Sequence, residues 1–347
     1  MGSETLSFQR FHFSRQAHFP ALKHMEDPQP FADQENALNA IRLARRGDDF
    51  EVLRARIAKT IDWSFEHYNS VDRRLLSALL RAIHFAHDGD GENRLLLKLM
   101  ERAEALIARD PQLEWLILLA RLLLSLSERE RYIDHVSKLN RASDLPICQL
   151  MSRVADRWGS EKYPDYSAEK ICCIGLSRTG TKSLDSALAS LGYDAAHWTN
   201  PITKNILGKQ DYFLFEAFSD ITVSADVSWL LENIRCAKFI LTERGLLTWE
   251  RSIRRHYSDM AGVSEPGQLY SKGASRFSGR AAAAEAAVYG GFSCWVDAYS
   301  EHIGVVDQIF SKDPERLLRM NVVAGDSWEK LCGFLDKPCP RKPFPHK

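Results

Sequence analysis

The 347-residue sequence contains no CxxC pair, and its seven cysteines (Cys148, Cys172, Cys173, Cys236, Cys294, Cys332 and Cys339) are odd in number. Neither a zinc site nor a disulfide framework follows from such spacing, so reduced thiols are the expectation. Charge of one sign is not in excess either. Lys+Arg and Asp+Glu count 46 each, which argues against nucleic acid as an obligate partner. Long apolar runs are missing as well. The richest, "LEWLILLARLLLSL", is interrupted by Glu114 and Arg121 and is too short to span a bilayer. The opening "MGSETLSFQRFHFSRQ" lacks the apolar centre of a secretory leader, and Leu6 stands where myristoylation requires Ser or Thr. These absences predict a cytoplasmic protein with no membrane span.

What is present reads as two halves with different grammar. The length predicts more than one domain, and 45% hydrophobic with 27% charged residues is the composition of a globular protein. Residues 1–32 show no period and read as an arm, docked by Phe8, Phe11, Phe13 and Phe19 or partly disordered. Residues 33–158 are helical almost throughout: "ENALNAIRLARR" places Leu38, Ile41 and Ala44 or Arg45 at spacings of three and four. Further helices are expected near 49–66, 71–87, 91–109, 112–126, 128–140 and 146–157. Helix pairs that begin near 34, 71, 112 and 146 approach the period of tetratricopeptide-like hairpins without a full consensus. A helical repeat and a plain bundle both fit, and either offers a surface for a protein partner. His84 and His87 read as helix-face residues rather than metal ligands. Residues 159–168 read as a linker. From 169 to 347 the pattern becomes strand–turn–helix, with strands in "KICCIGL", "AKFILTER" and "RLLRMNV". That alternation predicts an α/β domain around a central parallel sheet.

The turn after the first of these strands carries the chemistry. In "EKICCIGLSRTGTKSLDSALASLGY" (169–193) an apolar run ends at Gly175 and a helix begins near Thr181. Backbone N–H groups at a helix start are unpaired and favour an anion, and Gly175 and Gly180 permit the tight path. Arg178, Lys182, Thr181 and Ser183 add charge and hydroxyl donors. A Walker loop would have Lys directly after the second glycine, but Thr181 intervenes. Neither "AKFILTER" nor "RLLRMNV" ends in an aspartate to help hold magnesium. The loop is built for an anion, without evident apparatus for a metal-bound triphosphate.

With these features the segment "SRTGTKSL" resembles the phosphosulfate loop of P-loop-like sulfotransferases that use 3′-phosphoadenosine 5′-phosphosulfate (PAPS). Arg178 stands where many relatives carry Lys, which keeps the charge and changes the contact geometry. The resemblance implies that Arg178, Thr179, Gly180, Thr181, Lys182 and Ser183 hold the donor's 5′ end. It continues in "AKFILTERGLLTWERSIRRHY", where Arg244 and Ser252 have the spacing of the pair that binds the 3′-phosphate. It reaches the C-terminus through "AYSEHIGVV", "DPERLL" and "GDSWEKLCGFLDKPCPRKPFP". Independently of the family, Arg244 would end a strand where ligands gather, and Thr248, Ser252 and Arg255 or His256 would share one helix face.

Sulfuryl transfer needs a base for the acceptor, and no metal is expected. Between the two nucleotide motifs lie His197, Glu216, Asp220 and Asp226; the resemblance favours His197 or Asp220, with Lys182 and Arg178 stabilising the leaving charge. His302 reads as structural. Lys272–Gly273 and Arg276 are candidates for the donor's phosphate or for a lid. The expected substrate is a small molecule or saccharide with a hydroxyl or amine. The alternatives are an atypical P-loop kinase and a non-catalytic nucleotide-binding scaffold.

Overall fold

The computed structural model describes residues 34–44, 50–67, 73–85, 90–271 and 279–346. The aromatic arm, His87, Lys272, Gly273 and Arg276 lie outside the described residues.

Helices α1 (Gln34–Ala44), α2 (Phe50–Glu66), α3 (Arg73–Phe85), α4 (Asp90–Arg109), α5 (Leu113–Ser125), α6 (Arg129–Ala142) and α7 (Pro146–Gly159) come first. They pack largely on chain neighbours, α4 on α5 and α6 on α7. The apolar run of the sequence is α5, which buries Trp115, Ile117, Leu118, Leu122 and Leu123. Tyr132 is fully buried because its hydroxyl has a partner, donating to the Met151 carbonyl at 3.1 Å. No helix of the described residues is long and apolar enough to cross a membrane.

The second half is organised by strands β1 (Lys170–Cys173), β2 (Ala195–His197), β3 (Ala217–Ser219), β4 (Ala237–Thr242) and β5 (Leu317–Met320). All pair in parallel, in the order β2-β3-β1-β4-β5. The helices between and after them are α8 (Thr181–Ser190), α9 (Asp211–Leu214), α10 (Ile221–Ala225), α11 (Val227–Asn233), α12 (Leu246–Ala261), α13 (Gly267–Ser271), α14 (Gly279–Tyr289), α15 (Trp295–Ile309) and α16 (Trp328–Leu335). This is an α/β, P-loop-like arrangement preceded by an all-helical region. Strands β2 and β3, three residues each, add to the three that the sequence pattern predicts.

The two-residue period of the strands sorts the core into layers. Ile171, Cys173, Ala217 and Ile240 face one side, against Leu184, Ala187 and Leu188 of α8 and Leu331, Cys332 and Leu335 of α16. Cys172, Ile174, Phe218, Phe239 and Leu241 face the other, in a cluster that runs on into the helices of the first half. Both faces are therefore buried, as near-continuous apolar strands require. At the rim of this joint Arg153 of α7 donates to both Asp194 oxygens, from Nε at 3.0 Å and from Nη2 to Oδ1 at 2.8 Å. Arg157 Nη2 reaches Asp194 Oδ2 at 2.6 Å. Burial would raise the Asp194 pKa, but the hydrogen bonds and charges of the two arginines outweigh it and hold the carboxyl below its usual range. A separate cluster of Trp249, Ile253, Tyr257, Tyr289, Trp295 and Tyr299 packs Leu176 and Ile221 beside the carboxyl ends of the strands.

Candidate functional site

The turn after β1 is shaped by crowding beneath it. A Cβ at Gly175 would lie 1.8 Å from Thr242 Oγ1, so only glycine passes there without displacing β4. Thr179 Oγ1 donates to the Leu176 carbonyl at 2.6 Å and meets Thr242 Oγ1 at 2.6 Å. Its N–H also turns back to Leu176. Thr179 is fully buried and borders none of the cavities described below, so its side chain stands apart from the other residues of the loop. The Leu176 carbonyl thus accepts from both the N–H and the hydroxyl of Thr179, and this double contact holds the hydroxyl inward. Arg178 and Gly180 then take left-handed backbone angles, φ 73° and 110°. Helix α8 starts at Thr181 with Gly180 as its cap, so no side chain covers the helix N-terminus.

Arg244 follows β4 and is held from behind: Tyr299 accepts from its N–H at 3.1 Å and donates to its carbonyl at 2.8 Å. The guanidinium donates to the Arg178 carbonyl at 3.3 Å and to Thr248 Oγ1 at 3.4 Å. Arg178 Nε in turn donates to Ser252 Oγ at 3.3 Å. A cavity of about 540 Å³ opens over Arg178, Arg244, Thr248, Ser252, Arg251, Arg255, His256 and Asp259. A second, of about 480 Å³, joins Ser177, Arg178, Gly180, Thr181, Lys182 and Ser183 to His197, Asp220, Arg244, His256, Val322, Val323 and His346. A third, of about 400 Å³, carries Ser177, Lys182, His197, Asp220 and His256 on to Trp198, Thr199, Ile221, Tyr257 and Glu285. The three adjoin one another through shared lining residues, and His256 borders all of them. Burial, and then the Arg178 charge, lowers the His256 pKa, which favours the neutral ring.

His197 and Asp220 meet because β2 and β3 pair in the register His197–Ser219. His197 Nε2 stands 3.3 Å from Asp220 Oδ2, and its Nδ1 is 2.9 Å from Ser219 Oγ. Asp220 also caps α10, accepting from the Ile221 N–H at 2.8 Å and from Ser177 Oγ at 3.1 Å. Its φ of 91° is uncommon for a residue with a side chain, and the cap and the His197 contact hold it there. Behind the pair lies Asp185 of α8, whose pKa is raised by burial.

Other candidates fall elsewhere. Glu216 accepts from the Asp194 N–H and pairs with Arg157 at the joint between the halves. Asp226 is buried with Tyr212 and Arg280. His302 Nε2 lies 2.8 Å from the Ile174 carbonyl and braces α15 against β1, as a structural residue would. Sequence reasoning missed Trp198, Tyr257 and Glu285 in the third cavity. Glu285 did leave a trace: it is the lone charge in "AAAAEAAV", where a run of alanines suits a buried helix. The Tyr257 hydroxyl donates to Glu285 Oε1 at 2.8 Å, and burial pushes the Glu285 pKa up to about 7.

Among known proteins, the family model described as sulfotransferase domain matches residues 170–347, just over half of the chain. None of the curated proteins compared with the chain matches it.

Proposed function

The chain belongs to the sulfotransferase family, and from that premise we propose that it moves a sulfuryl group from PAPS to a hydroxyl or amine of a small molecule or saccharide. The observation that carries the donor's identity is that the first two cavities share Arg178 and Arg244 in their linings. One guanidinium, Arg178, belongs to the phosphate loop and also bonds Ser252, while Arg244 bonds Arg178. A ligand with anionic groups at two places fits this arrangement. Gly180, Thr181, Lys182 and Ser183 would hold its 5′ end, and Arg244 with Ser252 its 3′-phosphate. Val322 lies 3.3 Å from where a Gly180 Cβ would stand, a tight contact, and the φ of 110° strains any side chain at that position.

When bound, PAPS supplies an activated sulfuryl group with 3′,5′-ADP as its leaving group. The protein's part is positioning and charge. Arg178, Lys182 and the N–H groups of the first turn of α8 face the place where negative charge develops, and fixed donors there lower the barrier. The His197–Asp220 pair takes the acceptor's proton. Oδ1 of Asp220 is occupied by Ile221 and Ser177, which leaves Oδ2, beside His197 Nε2, as the oxygen through which the two work together. The helices α1 to α7 form a scaffold with a surface for a protein partner.

Calorimetry with 3′,5′-ADP, 5′-AMP and magnesium-ATP tests the donor assignment. The expected order is 3′,5′-ADP first. Arg244→Ala and Ser252→Ala should weaken 3′,5′-ADP by about tenfold or more while leaving 5′-AMP nearly unchanged. Equal losses for both nucleotides, or a preference for magnesium-ATP, would overturn it. Transfer of label from PAPS to an acceptor then tests the reaction.

A further inference from the structure

The far half of the third cavity holds a carboxyl with no counter-ion among the described residues. Glu285 of α14 is 3% exposed, yet it borders the cavity. Tyr257 donates to Oε1, which leaves most of the carboxyl's acceptor capacity unused. No cation of the described residues pairs with it. Arg280, at the start of the same helix, is taken by Asp226 and by the carbonyls of Leu207 and Thr222. Lys182 stands in the phosphate loop, and burial keeps His256 inclined to neutrality. Asp220 adds a second negative charge to the same cavity, and that charge raises the proton affinity of Glu285 further.

A buried carboxylate without a counter-ion is costly, which is why Glu285 holds a proton so readily, and a ligand that brings a cation stabilises its charged form. An anionic acceptor would meet repulsion from both Glu285 and Asp220. An apolar one would bury the carboxyl uncompensated. The walls agree with a cation, since Trp198 and Tyr257 border the same space and aromatic faces attract ammonium groups. Tyr257, whose hydroxyl meets Glu285, is held in place by stacking on Trp295 with centroids 4.7 Å apart. A volume of about 400 Å³ sets a compact ligand.

Granted sulfuryl transfer at this site, we propose that the acceptor is a cationic alcohol, with its ammonium group against Glu285 and its hydroxyl at the His197–Asp220 pair. The hydroxyl oxygen forms the new O–S bond while the S–O bond to the phosphate breaks. The bond's electron pair leaves with 3′,5′-ADP, the hydroxyl proton passes to the His197–Asp220 pair, and the ammonium group is unchanged.

The test uses the full chain and labelled PAPS. Its probes are tyramine and a ladder of ω-amino alcohols, each compared with the neutral alcohol and the hydroxy acid of the same length. At least one amino alcohol should exceed both counterparts in kcat/KM by roughly tenfold or more. Glu285→Gln, which preserves the shape and the Tyr257 contact, should collapse that ratio toward one. Binding of 3′,5′-ADP to the variant should stay unchanged, because Glu285 borders neither nucleotide cavity. A preference for neutral or acidic probes, or a ratio that survives Glu285→Gln, would overturn the inference. So would failure of every probe in a protein that binds 3′,5′-ADP tightly. Failure to bind 3′,5′-ADP at all would instead strike the donor assignment.

Discussion

Around the turn after β1, most of the groups that face the cavities come from that one turn of chain, from Arg244 and from α12, with His197, Asp220, Val322, Val323 and His346 at the margin. Around Glu285, Ser177 and Lys182 of the turn are joined by residues of β2, the end of β3, α10, α12 and α14, stretches far apart in the chain. The first region offers backbone direction and fixed positive charge, set by a turn that tolerates few substitutions. The second offers side chains carried on separate elements, among them His256, Tyr257 and Glu285. A single family can therefore keep its donor site and change its acceptor by exchanging residues on two or three helices.

The sharpest test of this contrast is Asp220→Asn. It should lower turnover by about 10²–10⁴-fold while 3′,5′-ADP binds as before, since the loop and Arg244 remain. Wild-type turnover in Asp220→Asn and in His197→Ala would place the base elsewhere. Lys182→Ala comes next, with an expected loss of about 10²-fold in kcat and an unchanged unfolding transition. A loss confined to KM would make Lys182 a ground-state contact only. Gly175→Ala should instead act on the fold, because its Cβ would collide with Thr242. An overpacking cost of about 1–3 kcal/mol is expected in urea denaturation, with weaker 3′,5′-ADP binding alongside it. Full stability and affinity would show that the turn is not held by β4.

The smallest effect concerns neither cavity. Asp194 is held below its unfolded pKa by Arg153 and Arg157, so its contribution is present above the unfolded value and fades as pH falls through the folded one. Asp194→Asn should be less stable by about 1–3 kcal/mol near neutrality, and the gap should close as the pH drops from about 4 downward. A gap that does not change with pH would assign the loss to packing rather than charge.

Much of the loop was legible because local rules decide it. A strand that must turn into a helix needs glycine where β4 crowds it, and the Arg244–Ser252 spacing follows from a helix that starts at a strand end. The helices of the first half were legible from periodicity. Strands β2 and β3 were not, since three residues carry too little period to stand out. With them went the pairing of His197 and Asp220, which depends on register between strands that are not consecutive residues. The inward turn of the Thr179 hydroxyl was not legible either, because only the packed turn brings its oxygen to Leu176 and Thr242.

The sequence by itself determined that an α/β layer follows a helical one and that an anion-seeking turn opens its first crossover, because backbone sterics and hydrophobic period act over a few residues. Which carboxyl faces which histidine, and that Glu285 looks into a cavity rather than a core, was decided only when distant helices packed. Those contacts depend on the relative placement of whole elements, and no local pattern of residues encodes it.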